Sequence, residues 1–138
     1  MTTWQAEEPS TRPRPPRRWR DKFAEALRGV RVGAQGQSSF YAHFFFACLA
    51  VLAAVVLECD RVEWCLVVGC VGLVFTAELF NTAIETLFKG LDPAARDRVY
   101  HALDISAGAV LVTCLTAAVV GGFIFGRKLL VIFGTIHP

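Results

Sequence analysis

Glu78, Asn81 and Glu85 stand at i, i+3 and i+7 of one largely apolar stretch, a spacing that lines them along a single helix face. At 1.5 Å rise per residue the two carboxylates lie roughly 10 Å apart along that face. Glu78 sits well inside the apolar run. A carboxylate near the centre of a bilayer costs about 2.5 to 3.5 kcal/mol on insertion scales, so an acid kept there is a functional candidate by default. In a plainer reading Glu78 and Asn81 only bond across helices to fix packing. That leaves Glu85 unexplained, because it carries the same face outward. A carboxylate within reach of a substrate hydroxyl can act as a general base. Several oxygen ligands in one place suit Mg²⁺, which takes one or two carboxylates plus substrate phosphates. Together these residues describe phosphate chemistry on a substrate dissolved in the membrane. There is no GxxxxGK[ST] loop and no protein-kinase signature, which excludes the ordinary nucleotide-binding folds.

The elements that must hold these residues are written in the hydropathy. Only 19% of the 138 residues are charged, below the quarter usual for soluble domains. They crowd outside three apolar blocks, Phe40 to Leu57, Val62 to Phe88 and Ile105 to Phe125. A spanning helix needs about 20 largely apolar residues, so each block is long enough. The short link Glu58-Cys59-Asp60-Arg61 makes the first two an antiparallel hairpin. A signal peptide fits poorly, since a long basic segment precedes the first apolar run, which begins only at Phe40. The five cysteines are odd in number, show no CxxC pair and read as small membrane-buried residues.

An all-α integral membrane fold follows, with three transmembrane helices and an N-terminal amphipathic interfacial helix. Residues 1–18 form a basic Pro/Arg-rich tail expected to be disordered against anionic lipid. Residues 19–138 form the membrane domain, with a surface helix over 19–35 and spans at about 40–58, 62–88 and 104–125. Trp19, Phe23, Ala26, Leu27 and Val30 recur at helical spacing with charges between them, the pattern of an interfacial helix. Eight of the 14 Lys and Arg precede Phe40, and Lys89, Arg96 and Arg98 lie between the second and third blocks. The positive-inside rule therefore places the N-terminus and that second link in the cytoplasm. Arg127 and Lys128 fall on the far side but are outnumbered. Asp104, in the first turn of the third span, then joins Glu78, Asn81 and Glu85 in the cytoplasmic leaflet. Small residues at helical spacing in the third span, among them Gly108, Ala117, Ala118 and Gly121, favour close backbone approach and an oligomer.

The run Ala77-Glu78-Leu79-Phe80-Asn81-Thr82-Ala83-Ile84-Glu85 resembles the signature of the prokaryotic diacylglycerol kinase family, which includes undecaprenol kinases. Asp104-Ile105-Ser106-Ala107-Gly108-Ala109-Val110 resembles the family's second signature. The similarity covers roughly residues 19–125. It implies a bacterial plasma-membrane homotrimer that transfers the ATP γ-phosphate to a membrane lipid alcohol with Mg²⁺. By that analogy Glu78 is the general base and Glu85 a metal ligand. Glu85, Asp104 and Arg18 meet ATP, and Asn81 lines the site. Three positions depart from the pattern. Gln37 stands where the family has a second metal-binding Glu, Leu103 where a Lys precedes the Asp, and Lys89 where an Asp follows the metal Glu. His101 near the site reads as structural. Nucleic acid is not an expected partner. The competing functions are a non-catalytic membrane oligomer or adaptor of the same fold, and a small proton or ion conductor using Glu78 and Glu85 as relay groups.

Overall fold

In the computed structural model, which describes residues 18–35 and 38–134, the chain is a run of helices. Gln37 and nearly all of the basic tail lie outside the described residues. Among those described there is no strand. The first helix, α1 (Trp19–Ala34), carries Trp19, Phe23, Leu27 and Val30 as one exposed apolar stripe. Lys22 sits over the Trp19 ring at 4.6 Å from its centroid. A stripe of that kind beside charges suits the plane of a membrane surface. Gly33 lets this helix lie close to a neighbour: a Cβ there would come within 2.6 Å of Leu79 Cδ2.

The three apolar blocks form α2 (Ser38–Val56), α3 (Arg61–Lys89) and α5 (His101–Ile132), and all three are long and apolar enough to cross a membrane. Helix α2 ends in a Schellman turn: Cys59 N–H donates to Ala54 O at 3.0 Å and Glu58 N–H to Val55 O at 3.2 Å. Glu58 takes the left-handed position with φ 49°, where glycine is usual. Helix α3 begins at once with a capping box. Asp60 Oδ1 accepts from the N–H groups of Val62 and Glu63, and Glu63 Oε2 accepts from Asp60 N–H at 2.8 Å. These two devices make the hairpin turn as tight as the short link requires.

The second link is not a plain loop. It holds a short helix, α4 (Pro93–Val99), with Pro93 at its first position and Asp92 Oδ1 accepting from Ala95 N–H at 3.0 Å. The Arg96 guanidinium donates back to the Lys89 carbonyl, which ties this helix to the end of α3.

At 29 and 32 residues, α3 and α5 are about 44 and 48 Å long, well beyond the roughly 30 Å hydrocarbon core. Both therefore outrun the hydrocarbon core, whereas the 19 residues of α2 roughly match it. The third span continues past the apolar block ending at Phe125 because the charges beyond have partners. Arg127 and Lys128 reach Glu63 at 3.2 and 3.1 Å, and Lys128 Nζ donates to the Glu58 carbonyl at 2.9 Å. Helix α3 packs chiefly along α5, with α2 on α3 and α1 across α3. The buried apolar residues among those described are just Ala54, Val67 and Ile124. The remaining apolar surface needs lipid or further copies of the chain to cover it.

Candidate active site

Glu78 is the most deeply buried polar side chain described, at 2% exposure. Both of its oxygens face α2. Ser39 Oγ donates to Oε1, and His43 Nε2 stands 3.7 Å from Oε2. Ser39 and His43 are four residues apart, hence on one helix face, and that face meets the carboxylate. On the far side of the imidazole, Cys114 Sγ of α5 lies 3.8 Å from His43 Nδ1. The buried acid is therefore held by two groups of α2, one of which, His43, is in turn met by Cys114 of α5.

One turn further along α3 the partners change to α5. Ser106 Oγ donates to Asn81 Oδ1 at 2.7 Å, and Asn81 Nδ2 donates to Glu85 Oε1 at 2.9 Å. The same serine also donates to the Leu103 carbonyl at 2.9 Å. Glu85 is one-third exposed, with Lys89 Nζ at 3.6 Å from its other oxygen. The polar face thus runs from a dry acid at Glu78 to a partly wetted one at Glu85, with Asn81 tying the latter to Ser106 of α5.

The other sequence candidates differ in their settings. Asp104 is exposed in the first turn of α5 and makes no hydrogen bond or ion pair among the described residues. Arg18 is exposed at the start of α1, bonded through its backbone to Asp21 and Lys22. Gln37 falls outside the described residues. His101 is exposed and stacks on Tyr100, ring centroids 4.0 Å apart. The described residues contain no cluster of three His, Cys, Asp or Glu ligands. A single half-open carboxylate such as Glu85 still fits Mg²⁺, which keeps its waters and takes substrate phosphates for the rest of its shell.

Beside Glu78 a cavity of about 380 Å³ opens between α2, α3 and α5. Small side chains make the room, Ala47 and Ala50 on α2 and Ala118 on α5. Phe125 lies at the far end, and His43 and Cys114 at the end near the acid. The cavity is apolar apart from that end, where His43 both lines it and faces Glu78.

Sequence reading passed over Ser39, His43, Ser106 and Cys114. The available signal was a polar pair at i and i+4, Ser39 just before the first apolar block and His43 within it, the spacing that Asn81 and Glu85 share on α3. It was also blind to Glu63, although Asp60-Arg61-Val62-Glu63 has the form of a capping box.

Membrane-spanning helices that carry a buried acid, with a wetter acid on the same face, define a membrane protein with a candidate site for chemistry on a substrate dissolved in the bilayer. The chain belongs to the prokaryotic diacylglycerol kinase family, whose model matches residues 24–125. It is 31% identical over 107 residues to an undecaprenol kinase of Bacillus subtilis, an alignment covering 78% of this chain and 87% of that one. A diacylglycerol kinase of Haemophilus influenzae is 26% identical over 101 residues, covering 72% of this chain and 86% of the relative. A diacylglycerol kinase of Synechocystis is 30% identical over 105 residues, covering 72% of this chain and 58% of its own length. No solved structure matches.

Proposed function

We propose that this chain transfers the γ-phosphate of ATP to the hydroxyl of a membrane lipid alcohol, diacylglycerol or undecaprenol, with Glu78 as general base. The observation that carries the reading is the hydroxyl already seated on the carboxylate: Ser39 Oγ donates to Glu78 Oε1 in a site closed to water. A lipid hydroxyl arriving along the adjacent cavity meets the same acceptor. Its proton passes to a Glu78 oxygen as its oxygen attacks the γ-phosphorus. The bond from that phosphorus to the β–γ bridging oxygen breaks, and ADP departs. Glu78 then returns the proton to solvent.

Glu85 is the residue to hold Mg²⁺, together with Gln37 through its amide carbonyl and with phosphate oxygens of ATP. Such an ion supplies neutralising charge to the phosphates. Asn81 fixes the Glu85 carboxylate by its amide N–H. Lys89, beside Glu85, adds a cation at the level where phosphate sits. Asp104 and Arg18 complete the nucleotide side of the site. In a homotrimer a neighbouring copy could bring either of them to the Glu78–Glu85 face.

The N-terminus and the link carrying α4 lie in the cytoplasm, where ATP is. Arg127 and Lys128 lie on the far side in that orientation, but the eight basic residues before Phe40 and the three between the second and third apolar blocks outnumber them. The deciding experiment is transfer from labelled ATP to a panel of lipid alcohols in mixed micelles. Mg²⁺-dependent labelling of one of them is expected. No labelling of any by the wild-type protein would overturn the proposal.

A further inference from the structure

We infer that His43 is a positioning residue for Glu78, holding the carboxylate in the orientation from which it takes the lipid proton. This rests on the kinase reading of the preceding subsection. His43 Nε2 is the group facing Glu78 Oε2, as Ser39 is the group facing Oε1. An ionised carboxylate only accepts hydrogen bonds, and a thiol is a weak donor. The Cys114 thiol at Nδ1 therefore selects the tautomer that keeps its proton on Nε2, aimed at the acid. The 3.7 Å separation is longer than a hydrogen bond. Contacts of this kind commonly shorten when substrate is bound. The incoming hydroxyl displaces Ser39 from one oxygen, and His43 keeps the other from rotating away.

The arrangement spans three helices and has a further consequence. Glu78 belongs to α3, His43 to α2 and Cys114 to α5, so the packing of the bundle sets the direction of the base. His43 touches no part of the Glu85 end of the site in the described structure. Its loss should therefore slow transfer without weakening the binding of ATP.

The test compares His43→Leu, which fills space without a donor, with His43→Gln, whose amide can still donate to Glu78. Steady-state transfer and thermal unfolding are measured on the purified membrane protein, together with Glu78→Gln and the Glu78→Gln/His43→Leu double variant. His43→Leu is expected to lower kcat about 10- to 100-fold, with KM for ATP changed by less than about twofold, and His43→Gln to regain most of it. The shifts in melting temperature of the two single variants should fail to add in the double variant. Additive shifts overturn the inference, as does a wild-type kcat in His43→Leu or an equal loss in His43→Gln. If the wild type labels no lipid at all, the kinase reading fails first and this role falls with it. An active wild type with an indifferent His43 defeats this inference alone.

Discussion

Two carboxylates on one helix face have opposite surroundings. Glu78 is dry and held by a hydroxyl and an imidazole, while Glu85 is partly open and held by an amide and an ammonium. The difference predicts different losses. Glu78→Gln keeps size and hydrogen bonding but cannot take a proton, so phosphoryl transfer should fall by about 10²- to 10⁴-fold. Its melting temperature should hold or rise, because a neutral amide is cheaper to bury than a carboxylate. Transfer at the wild-type rate would end the general-base assignment. Glu85→Gln should instead raise the Mg²⁺ concentration needed for half-maximal rate, with activity returning at high metal. Gln37→Glu is the complement: it adds a ligand charge and should lower that concentration. A metal titration of both variants checks the pair.

The elements are fixed by their ends as much as by their apolar lengths. The hairpin between α2 and α3 places Glu58 in a left-handed turn position that costs a side chain about 1 to 2 kcal/mol. Glu58→Gly removes that cost but adds freedom to the unfolded chain. A net gain of about 0.5 to 1 kcal/mol is expected, read as a higher melting temperature. The neighbouring clamp predicts an asymmetry. Glu63 meets both Arg127 and Lys128 and also closes the α3 capping box. Glu63→Gln should therefore lower the melting temperature more than Arg127→Gln, which leaves Lys128 in place. Equal or reversed losses would show that the clamp does not hold α5 to the hairpin.

At the scale of the molecule, the described chain buries few apolar residues and exposes large ones along every span, among them Phe44, Phe80, Leu111 and Phe123. Lipid covers part of that surface. The proposed homotrimer would cover the rest. Native mass spectrometry from mild detergent should give a trimer, and a fully active monomer would contradict the shared site. Orientation has its own check on a variant without native cysteines. A cysteine at Arg61 should react with a membrane-impermeant reagent in intact cells, and one at Ala94 should not. The reverse pattern would invert the topology.

The sequence by itself determined the helical membrane class, because runs of about 20 apolar residues leave the backbone no other way to satisfy its polar groups in lipid. It also determined the shared face of Glu78, Asn81 and Glu85, since positions along one helix follow from its period alone. What surrounds that face came only from tertiary structure. Ser39 and His43 reach Glu78 from another helix, and Ser106 reaches Asn81 across the bundle. Such contacts depend on how α2 and α5 rotate and slide against α3, which no spacing within one helix encodes. Short α4 was hidden for a related reason: seven residues carry too little periodicity to stand out, and its cap and its tie to α3 make it a helix. The pairing of Arg127 and Lys128 with Glu63 was likewise invisible in sequence, because it joins the start of one span to the end of another.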